Sequence, residues 1–320
     1  MKTICYGELM IDLTAEGQEP LEQASSFQKH AGGAAANVAA QLVKLGDEAC
    51  FLGKIGDDAF GRYLLAYMKR LRIDTEMTIL DPARRTTVAF VGLDEKRVPE
   101  YLFYRTGGAS ETLRQGEIDP QKLHGADVLY TSSLMLTTPV VRQTTMWLLA
   151  YARRAGLRTA FDMNLRKTAW ESLADARNVM VLALHEVDIL KINEDELVFL
   201  TGQAQADAGM EQLFAAYPAL SVILVTCGEN GAYLRRRDEA LVRIEPHRVH
   251  AVDTTGAGDS FMGAFLHAYC GGKEAQRELR RAGEFAARAA EMTVQSAGTI
   301  DSMPNLKDLY DSFGNIDKKV

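Results

Sequence analysis

The chain has few cysteines, and they follow no metal-binding or redox pattern. The four cysteines, Cys5, Cys50, Cys227 and Cys270, include no C-x-x-C pair. Neither a disulfide framework nor a zinc cluster is therefore indicated. Cys5 and Cys50 lie in apolar, strand-like runs and are interpreted as small buried hydrophobic residues. Because unpaired thiols are typical of a reducing compartment, we expect the protein in the cytoplasm.

Long hydrophobic runs are also missing. The first apolar segment is broken at Gly7 and Glu8, which makes it too short and too polar for a signal peptide. No apolar run approaches the roughly 20 residues that a membrane-spanning helix needs. We therefore expect no membrane partner.

An excess of basic residues is absent as well. The sequence has 36 Lys and Arg against 43 Asp and Glu, a formal net charge of −7. A nucleic-acid-binding surface needs a basic stripe that releases counterions, so no nucleic-acid partner is expected. Short basic runs such as Arg235–Arg237 are interpreted as solvated turns.

Two familiar nucleotide-binding motifs do not occur. There is no G-x-x-x-x-G-K-[ST] sequence, and the glycines near 32 and 256 do not fit G-x-G-x-x-G after a first strand. A nicotinamide-dependent oxidoreductase is therefore poorly supported and stays only as an alternative.

What the chain does contain is an alternation of strand and helix patterns. The core strands are predicted at 3–13, 49–55, 127–131, 158–162, 187–191 and 221–226. The helices are predicted at 33–45, 58–71, 139–154, 170–184, 193–200, 206–217, 257–270 and 274–294, the last two closing the domain, and a β-hairpin at 231–244. This alternation predicts a three-layer α/β/α core with a mostly parallel sheet.

Residues 75–105 break the alternation. The segments 75–80, 86–93 and 100–104 are predicted as consecutive strands joined by turns. They form an antiparallel element that we expect to pair with segment 13–30. We predict a single domain over 1–320, with a small antiparallel β lid formed from about 13–30 and 75–106.

The most informative segment is Asp253-Thr254-Thr255-Gly256-Ala257-Gly258-Asp259-Ser260, directly before an apolar helical run. Its glycines allow the backbone to approach a ligand closely. The first amides of the helix have no partners within it and favour an anion. Asp259 stands one turn into the helix, beside that anion. An anion site next to a potential proton acceptor is what phosphoryl transfer to an alcohol requires.

Other polar residues follow predicted strands, where ligands bind in such sheets. They are Glu8, Asp12, Gly32, Gly33, Asn37, Arg105, Asp162, Asn164, Arg166, Asn193, Glu196, Thr226 and Gly228. Each group also has an ordinary structural interpretation. The two glycines near 33 can serve helix–strand packing, Asn193 with Glu196 fits a capping box, and the arginines can lie on the surface or in loops.

Taken together, these residues resemble the ribokinase-like (PfkB-type) carbohydrate kinases along nearly the whole chain. One signature runs from Ala31-Gly32-Gly33 through Asn37 to Gly46 and continues through residues 53–61. The second is the 253–259 segment. The resemblance implies a ribokinase-like fold and transfer of the γ-phosphoryl group of ATP to a sugar hydroxyl. It also implies Mg²⁺ and, as in many family members, a monovalent cation such as K⁺.

The resemblance implies roles at matching positions. Asp259 would be the base, and the amides of Gly256, Ala257 and Gly258 would form the anion hole, where the helix N-terminus favours the charged form of the carboxylate. The sugar contacts would be Asp12, Gly33, Asn37, Arg105 and Arg166. The nucleotide contacts would be Asn193, Thr226, Gly228, Gly256 and Gly258, with Glu196 organising Mg²⁺ through water. The positions that match the monovalent-cation site are Asp253, Thr255, Gly298 and Ser302.

Within the family, the segment from Gly7 to Asp12 looks most like fructokinases, while Phe103-Tyr104-Arg105 is similar to both fructokinases and 2-keto-3-deoxygluconate kinases. Arg105 and Arg166 could grip a carboxylate, but Asp12 would repel it. We predict fructose, with 2-keto-3-deoxygluconate and other sugars or nucleosides as alternatives. Residues 106–110 depart from the Asn-Pro-Ser-Ala-Asp pattern of fructokinases, so the sugar stays open.

Two further expectations follow from the resemblance. The lid is expected to pair two subunits into a homodimer. A non-catalytic sugar-binding regulator with the same fold is the alternative from a different functional class.

Overall fold

The computed structural model describes residues 1–17, 19–93, 99–271 and 278–316. The strands are β1 (Lys2–Tyr6), β2 (Met10–Ala15), β3 (Phe27–Gly32), β4 (Glu48–Gly56), β5 (Thr78–Asp81), β6 (Val88–Leu93), β7 (Pro99–Tyr104), β8 (Val128–Ser132), β9 (Arg158–Asp162), β10 (Ile189–Asn193), β11 (Val222–Thr226), β12 (Ala232–Arg236) and β13 (Val242–Ile244). The α-helices are α1 (Ala34–Lys44), α2 (Ala59–Arg70), α3 (Pro139–Arg154), α4 (Leu173–Ala183), α5 (Glu194–Thr201), α6 (Ala206–Ala216), α7 (Ala257–Cys270), α8 (Leu279–Thr293) and α9 (Leu306–Ile316).

The larger sheet has nine strands in the order β13-β12-β11-β10-β9-β8-β1-β4-β5. Its strands pair in parallel from β5 to β11, and the hairpin β12–β13 adds an antiparallel edge. One hydrophobic cluster lies under α1, α2, α7, α8 and α9, and the other under α3 to α6. The predicted α/β/α core with a mostly parallel sheet is therefore confirmed.

The smaller sheet has the order β3-β2-β6-β7. Both outer pairings are antiparallel, whereas β2 and β6 pair in parallel. The chain enters it twice, through β2 and β3 after β1 and through β6 and β7 after β5. The predicted small lid sheet is therefore observed. One predicted lid strand was wrong, because β5 pairs in parallel with β4 in the large sheet.

The predicted single strand 3–13 was also wrong, because it is two strands in different sheets. Residues 7–9 separate β1 of the core from β2 of the lid, and Leu9 and Ile11 are both buried on the way. Because the chain is apolar and buried both before and after residues 7–9, its hydrophobic pattern does not show where it passes from one sheet to the other.

Local sequence signals explain several helix boundaries. α3 begins at Pro139, where a missing amide hydrogen costs nothing. α2 is capped by Asp58, whose Oδ1 accepts a hydrogen bond from the Gly61 amide at 2.8 Å. The predicted helix 274–294 is observed as α8 from Leu279; residues 274–277 of that prediction lie outside the described residues. Helix α9 was not predicted.

Among the described residues, no helix is both long and apolar enough to span a bilayer. The carboxyl ends of β1 and β8 to β11 lie beside the N-termini of α1 and α7, next to the lid sheet.

Candidate active site

The two sequence signatures meet through a hydrogen bond between α1 and α7. Asn37 Nδ2 donates to Asp259 Oδ2 at 2.8 Å, and both side chains are buried. The two helices pack closely because Gly263 leaves room: a Cβ there would lie 2.8 Å from Gln41 Cβ. Ser260 Oγ also donates to Gln41 Oε1 at 2.9 Å. Asp259 is therefore held in position by the hydrogen bond from Asn37 and by the close packing of α1 against α7. Asn37 Oδ1 is buried with no partner among the described residues, which leaves an acceptor for a ligand.

The N-terminus of α7 is shaped by Gly256. Its φ of 78° is in the left-handed region, and a Cβ would lie 2.1 Å from Thr299 Cγ2, so only glycine fits. The first i to i−4 bond of the helix runs from Ser260 N to Gly256 O. The amides of Gly258 and Asp259 precede it and are available to an anion. The Ala257 amide, predicted to serve the anion hole, donates instead to Thr254 O at 3.3 Å.

Asp259 is a stronger base than the helix terminus alone would make it. Burial raises its pKa to about 6, and the charge of Asp162 acts in the same direction. The hydrogen bond from Asn37 and the charges of Lys191 and Arg166 oppose this shift. The sequence analysis predicted a carboxylate stabilised in its charged form. That prediction was wrong, because burial, the largest influence on this pKa, favours the neutral form.

The predicted sugar contacts Asp12, Gly33 and Arg166 lie around this centre. Burial raises the pKa of Asp12 to about 7; Arg166 opposes the shift, and Asp259 and Glu8 add to it. The Arg166 guanidinium lies 5.2 Å from the centre of the Tyr101 ring, on lid strand β7. Gly33 has a φ of 109°, and a Cβ there would lie 2.2 Å from the Glu8 carbonyl oxygen. The structure thus brings these groups to one place between lid and core.

Arg105, also predicted as a sugar contact, is placed elsewhere. Its Nε and Nη2 donate to Glu8 Oε1 at 3.1 and 2.6 Å, and Nη2 also donates to Leu134 O at 3.3 Å. Its Nη1 donates to Thr137 Oγ1 at 2.9 Å and lies 3.5 Å from Glu111 Oε1. With all three guanidinium nitrogens engaged and 6% of the residue exposed, Arg105 is not a free group in the cleft.

On the nucleotide side, Asn193 and Glu196 form the capping box that the sequence allowed. Asn193 Oδ1 accepts from the Glu196 amide and Glu196 Oε2 accepts from the Asn193 amide, both at 2.8 Å. Glu196 Oε1 accepts from the Leu165 amide at 2.6 Å. Burial raises the pKa of Glu196, and Asp162 adds to the effect. In the sheet Asn193 lies opposite Thr226, with Gly228 exposed just beyond it.

The four residues that match a monovalent-cation site are close to one another. Asp253 accepts from the Thr255 amide at 2.9 Å and from the Gly298 amide at 3.2 Å. Ser302 Oγ donates to Gly298 O and to Thr299 O. A cavity of about 640 Å³ opens between these loops and lid strands β2 and β3, and Asp12 lines it.

The structure adds a residue that the sequence analysis missed. Lys191 Nζ forms an ion pair with Asp162 Oδ2 at 2.8 Å, and both residues are buried. A Cβ on Gly258 would lie 3.1 Å from Lys191 Nζ, so the ammonium group adjoins the anion site. The signal was present: a lysine between Leu190 and Ile192 in an apolar strand is rarely buried without a partner or a task.

Comparisons with known proteins agree with this geometry. The model of the family described as pfkB family carbohydrate kinase matches residues 2–306. "Probable fructokinase-2" of Arabidopsis thaliana is 35% identical, over 94% of this chain and 92% of its own. A fructokinase from Xylella fastidiosa with bound ATP superposes with a TM-score of 0.89 at 26% identity, over 99% of both chains. A fructokinase variant from Vibrio cholerae O395, bound to fructose, ADP and potassium ion, has a TM-score of 0.86 at 26% identity, over 97% of both chains.

Proposed function

The chain belongs to the pfkB family of carbohydrate kinases and is an ATP-dependent sugar kinase, and we propose that its acceptor is fructose. The observation that carries the chemistry is the Asn37–Asp259 hydrogen bond, which joins the two family signatures beside the open amides of α7. It holds a buried carboxylate of raised pKa where a sugar hydroxyl and an anionic phosphoryl group can meet.

In the proposed reaction, Asp259 accepts the proton of the attacking hydroxyl as the new oxygen–phosphorus bond forms. The bond from the γ-phosphorus to the bridging oxygen breaks, and ADP leaves with that electron pair. The amides at the N-terminus of α7 stabilise the charge on the transferring group. Asn193, Thr226 and Gly228 hold the nucleotide along the carboxyl ends of β10 and β11.

Mg²⁺ bound to ATP would neutralise phosphate charge during this transfer. Both oxygens of Glu196 already accept backbone amides, so this side chain fits an ion that it contacts through water. Each oxygen keeps a second acceptor site, which a metal-bound water could use without disturbing the capping box.

A neutral sugar is favoured over an acid sugar by the charges around the cleft. Arg105, one of two arginines that could bind a carboxylate, is engaged by Glu8. Arg166 remains, facing Asp12 and the ring of Tyr101. Asp12 and Asp259 would repel an acid sugar. The names of the relatives, fructokinases, support the same acceptor.

The test is a substrate screen with ATP and Mg²⁺, measuring ADP release with fructose, 2-keto-3-deoxygluconate, ribose, tagatose and adenosine. We expect the largest kcat/KM with fructose. A preference for the acid sugar would overturn the assignment. Binding of fructose without any turnover would favour the sugar-binding regulator, and tight binding of NADH would favour the oxidoreductase.

We also propose that K⁺ binds between the loops that carry Asp253, Thr255, Gly298 and Ser302, as the potassium in the Vibrio cholerae relative suggests. An ion there would stiffen the loop that leads into α7. Replacing K⁺ by tetramethylammonium should lower kcat, and adding K⁺ to the resting protein should raise its melting temperature. Unchanged values in both measurements would exclude the site.

We propose that the lid also forms a homodimer interface. Its outer face carries an aromatic stripe in which Phe90 lies 5.2 Å from Phe27 and 5.5 Å from Tyr104, between ring centres. Leu102 and Tyr104 are 49% and 64% exposed. Exposed apolar patches of this kind mark interaction surfaces. Tyr104→Glu should convert a dimer into a monomer in a sizing measurement, whereas a wild-type monomer would contradict the proposal.

Residence in the cytoplasm remains part of the proposal. It is supported by Cys5, Cys50 and Cys227, which are buried thiols outside any disulfide. Cell fractionation tests it, and recovery from an extracellular or membrane fraction would contradict it.

A further inference from the structure

We propose that Lys191 is a further catalytic residue, whose ammonium group contacts the transferring phosphoryl group beside the amide of Gly258. The proposal rests on the proposed phosphoryl transfer but not on the identity of the sugar.

The position of Lys191 is set by the sheet. It lies in β10 directly opposite Asp162 of β9, near the carboxyl ends of both strands. Its Nζ lies 3.1 Å from the point where a Cβ on Gly258 would be. Because Gly258 has no side chain, that space is open to a ligand. An oxygen bound over the Gly258 amide is therefore within reach of the ammonium group.

The charge of Lys191 is preserved despite its burial. Burial alone would lower the pKa of this ammonium group, but Asp162, Glu196 and Asp259 raise it above its ordinary value. Three acidic groups around one lysine keep it protonated at neutral pH. A cation is therefore permanently present beside the anion site.

The hydrogen bonds of Lys191 are incomplete. A lysine ammonium has three N–H donors, and within the part of the chain that the structure describes only the bond to Asp162 Oδ2 is formed. A buried ion pair that serves stability alone needs its remaining donors satisfied. Two donors are left over, and because Nζ lies beside Gly258 they can serve oxygens of a phosphoryl group bound there.

The chemistry needs such a group. During transfer, negative charge spreads over the three outer oxygens of the γ-phosphoryl group and the oxygen that stays with ADP. Lys191 donates hydrogen bonds to this charge and loses no proton, while Asp259 takes the proton of the hydroxyl. Asp162 holds the ammonium in place from the other side.

The test is Lys191→Met, which keeps the length of the side chain and removes the charge. We expect kcat to fall about 10²- to 10³-fold, the loss typical of one preorganised charge-stabilising donor. The KM for the sugar should change far less, because Lys191 contacts the phosphoryl group. A kcat within threefold of wild type would overturn the proposal.

The alternative is that Lys191 only neutralises Asp162, and the double variant Lys191→Met/Asp162→Asn separates the two. If the lysine is only a counter-ion, removing both charges restores turnover. If it is catalytic, turnover stays low although the double variant melts close to wild type. This variant also keeps the test open if Lys191→Met folds poorly. Absence of phosphoryl transfer by wild type to every sugar would instead refute the proposed function.

Discussion

Two buried ion pairs differ in a way that separates support from chemistry. Glu8 and Arg105 lie where the lid sheet leaves and rejoins the core, and they tie both points to the Leu134–Thr137 segment of the core. Asp162 and Lys191 lie at the ends of β9 and β10, beside the anion site. The two contacts are similarly short, 2.6 and 2.8 Å, and similarly buried.

The difference lies in the cations. Each acid keeps one buried oxygen without a partner among the described residues, Glu8 Oε2 and Asp162 Oδ1. The guanidinium of Arg105 has all three nitrogens engaged, whereas Lys191 uses one donor. A planar guanidinium in a fixed fork suits a permanent joint, and a compact ammonium suits an exchangeable ligand. The number of engaged N–H donors therefore distinguishes the Glu8–Arg105 pair, which we call the lid joint, from the Asp162–Lys191 pair beside the anion site.

The largest effect is expected at Asp259, the proposed base beside the anion site. Asp259→Asn removes the base but keeps the hydrogen-bonding shape of the side chain. The kcat should fall about 10³- to 10⁴-fold, the upper range for a general base. Calorimetry should still detect ATP binding, because the substitution leaves the proposed nucleotide contacts at Asn193, Thr226 and Gly228 unchanged. Near-native turnover of this variant would refute the mechanism.

The lid joint should respond in stability instead of turnover. Arg105→Met leaves Glu8 as a buried unpaired carboxylate, and the free energy of unfolding in denaturant should fall by about 3–5 kcal/mol. The double variant Glu8→Gln/Arg105→Met should regain a large part of this loss, since the uncompensated charge is gone. A small stability loss with a raised fructose KM would instead support the sugar contact predicted from the sequence.

The pH dependence of the reaction should come from Asp259 and its charged neighbour Asp162, and not from the lid joint. Asp259 acts as a base only when deprotonated, and its pKa is about 6. The kcat/KM for the sugar, which follows ionisation of the free enzyme, should therefore fall about tenfold between pH 8 and pH 5. Because the charge of Asp162 raises this pKa, Asp162→Asn should move the acidic limb to lower pH. The Glu8→Gln/Arg105→Met variant is the control, and its limb should stay in place.

Much of this site could be predicted from short-range patterns. The capping box at Asn193 and Glu196, the turn at Gly256 and the position of Asp259 one turn into α7 are all local properties of the sequence, and the structure shows each of them. The chemical neighbours of Asp259 are not local. Asn37 lies 222 residues away; the strand-end rule placed it at the same edge of the sheet, but neither that rule nor the resemblance predicted its hydrogen bond to Asp259.

The failures share a cause. The direction of the Asp259 pKa was wrong because it was argued from its own helix, whereas burial and Asp162 of another strand decide it. The ion pair of Arg105 was not anticipated, because its partner Glu8 lies 97 residues earlier. Strand β5 was assigned to the lid because the residue pattern of a strand does not show which strand it pairs with. In each case a contact distant in sequence decided the outcome.

The smallest expected effect concerns Asp12, which among the described residues has no ion pair of the kind that Glu8 forms with Arg105. Its pKa is about 7 in the folded protein against 3.8 for an ordinary carboxyl. The folded state therefore holds this proton more tightly than the unfolded state, and the stability lost by ionising Asp12 accumulates as pH rises from about 4 to 7. Asp12→Asn avoids that loss, so it should stabilise the protein by at least about 1 kcal/mol at pH 8. The gain in melting temperature should shrink at pH 5, while the fructose KM rises at both pH values. An equal gain at both pH values would mean that ionisation of Asp12 does not destabilise the folded protein. The cleft would then stabilise this carboxylate as well as Arg105 stabilises Glu8 in the lid joint.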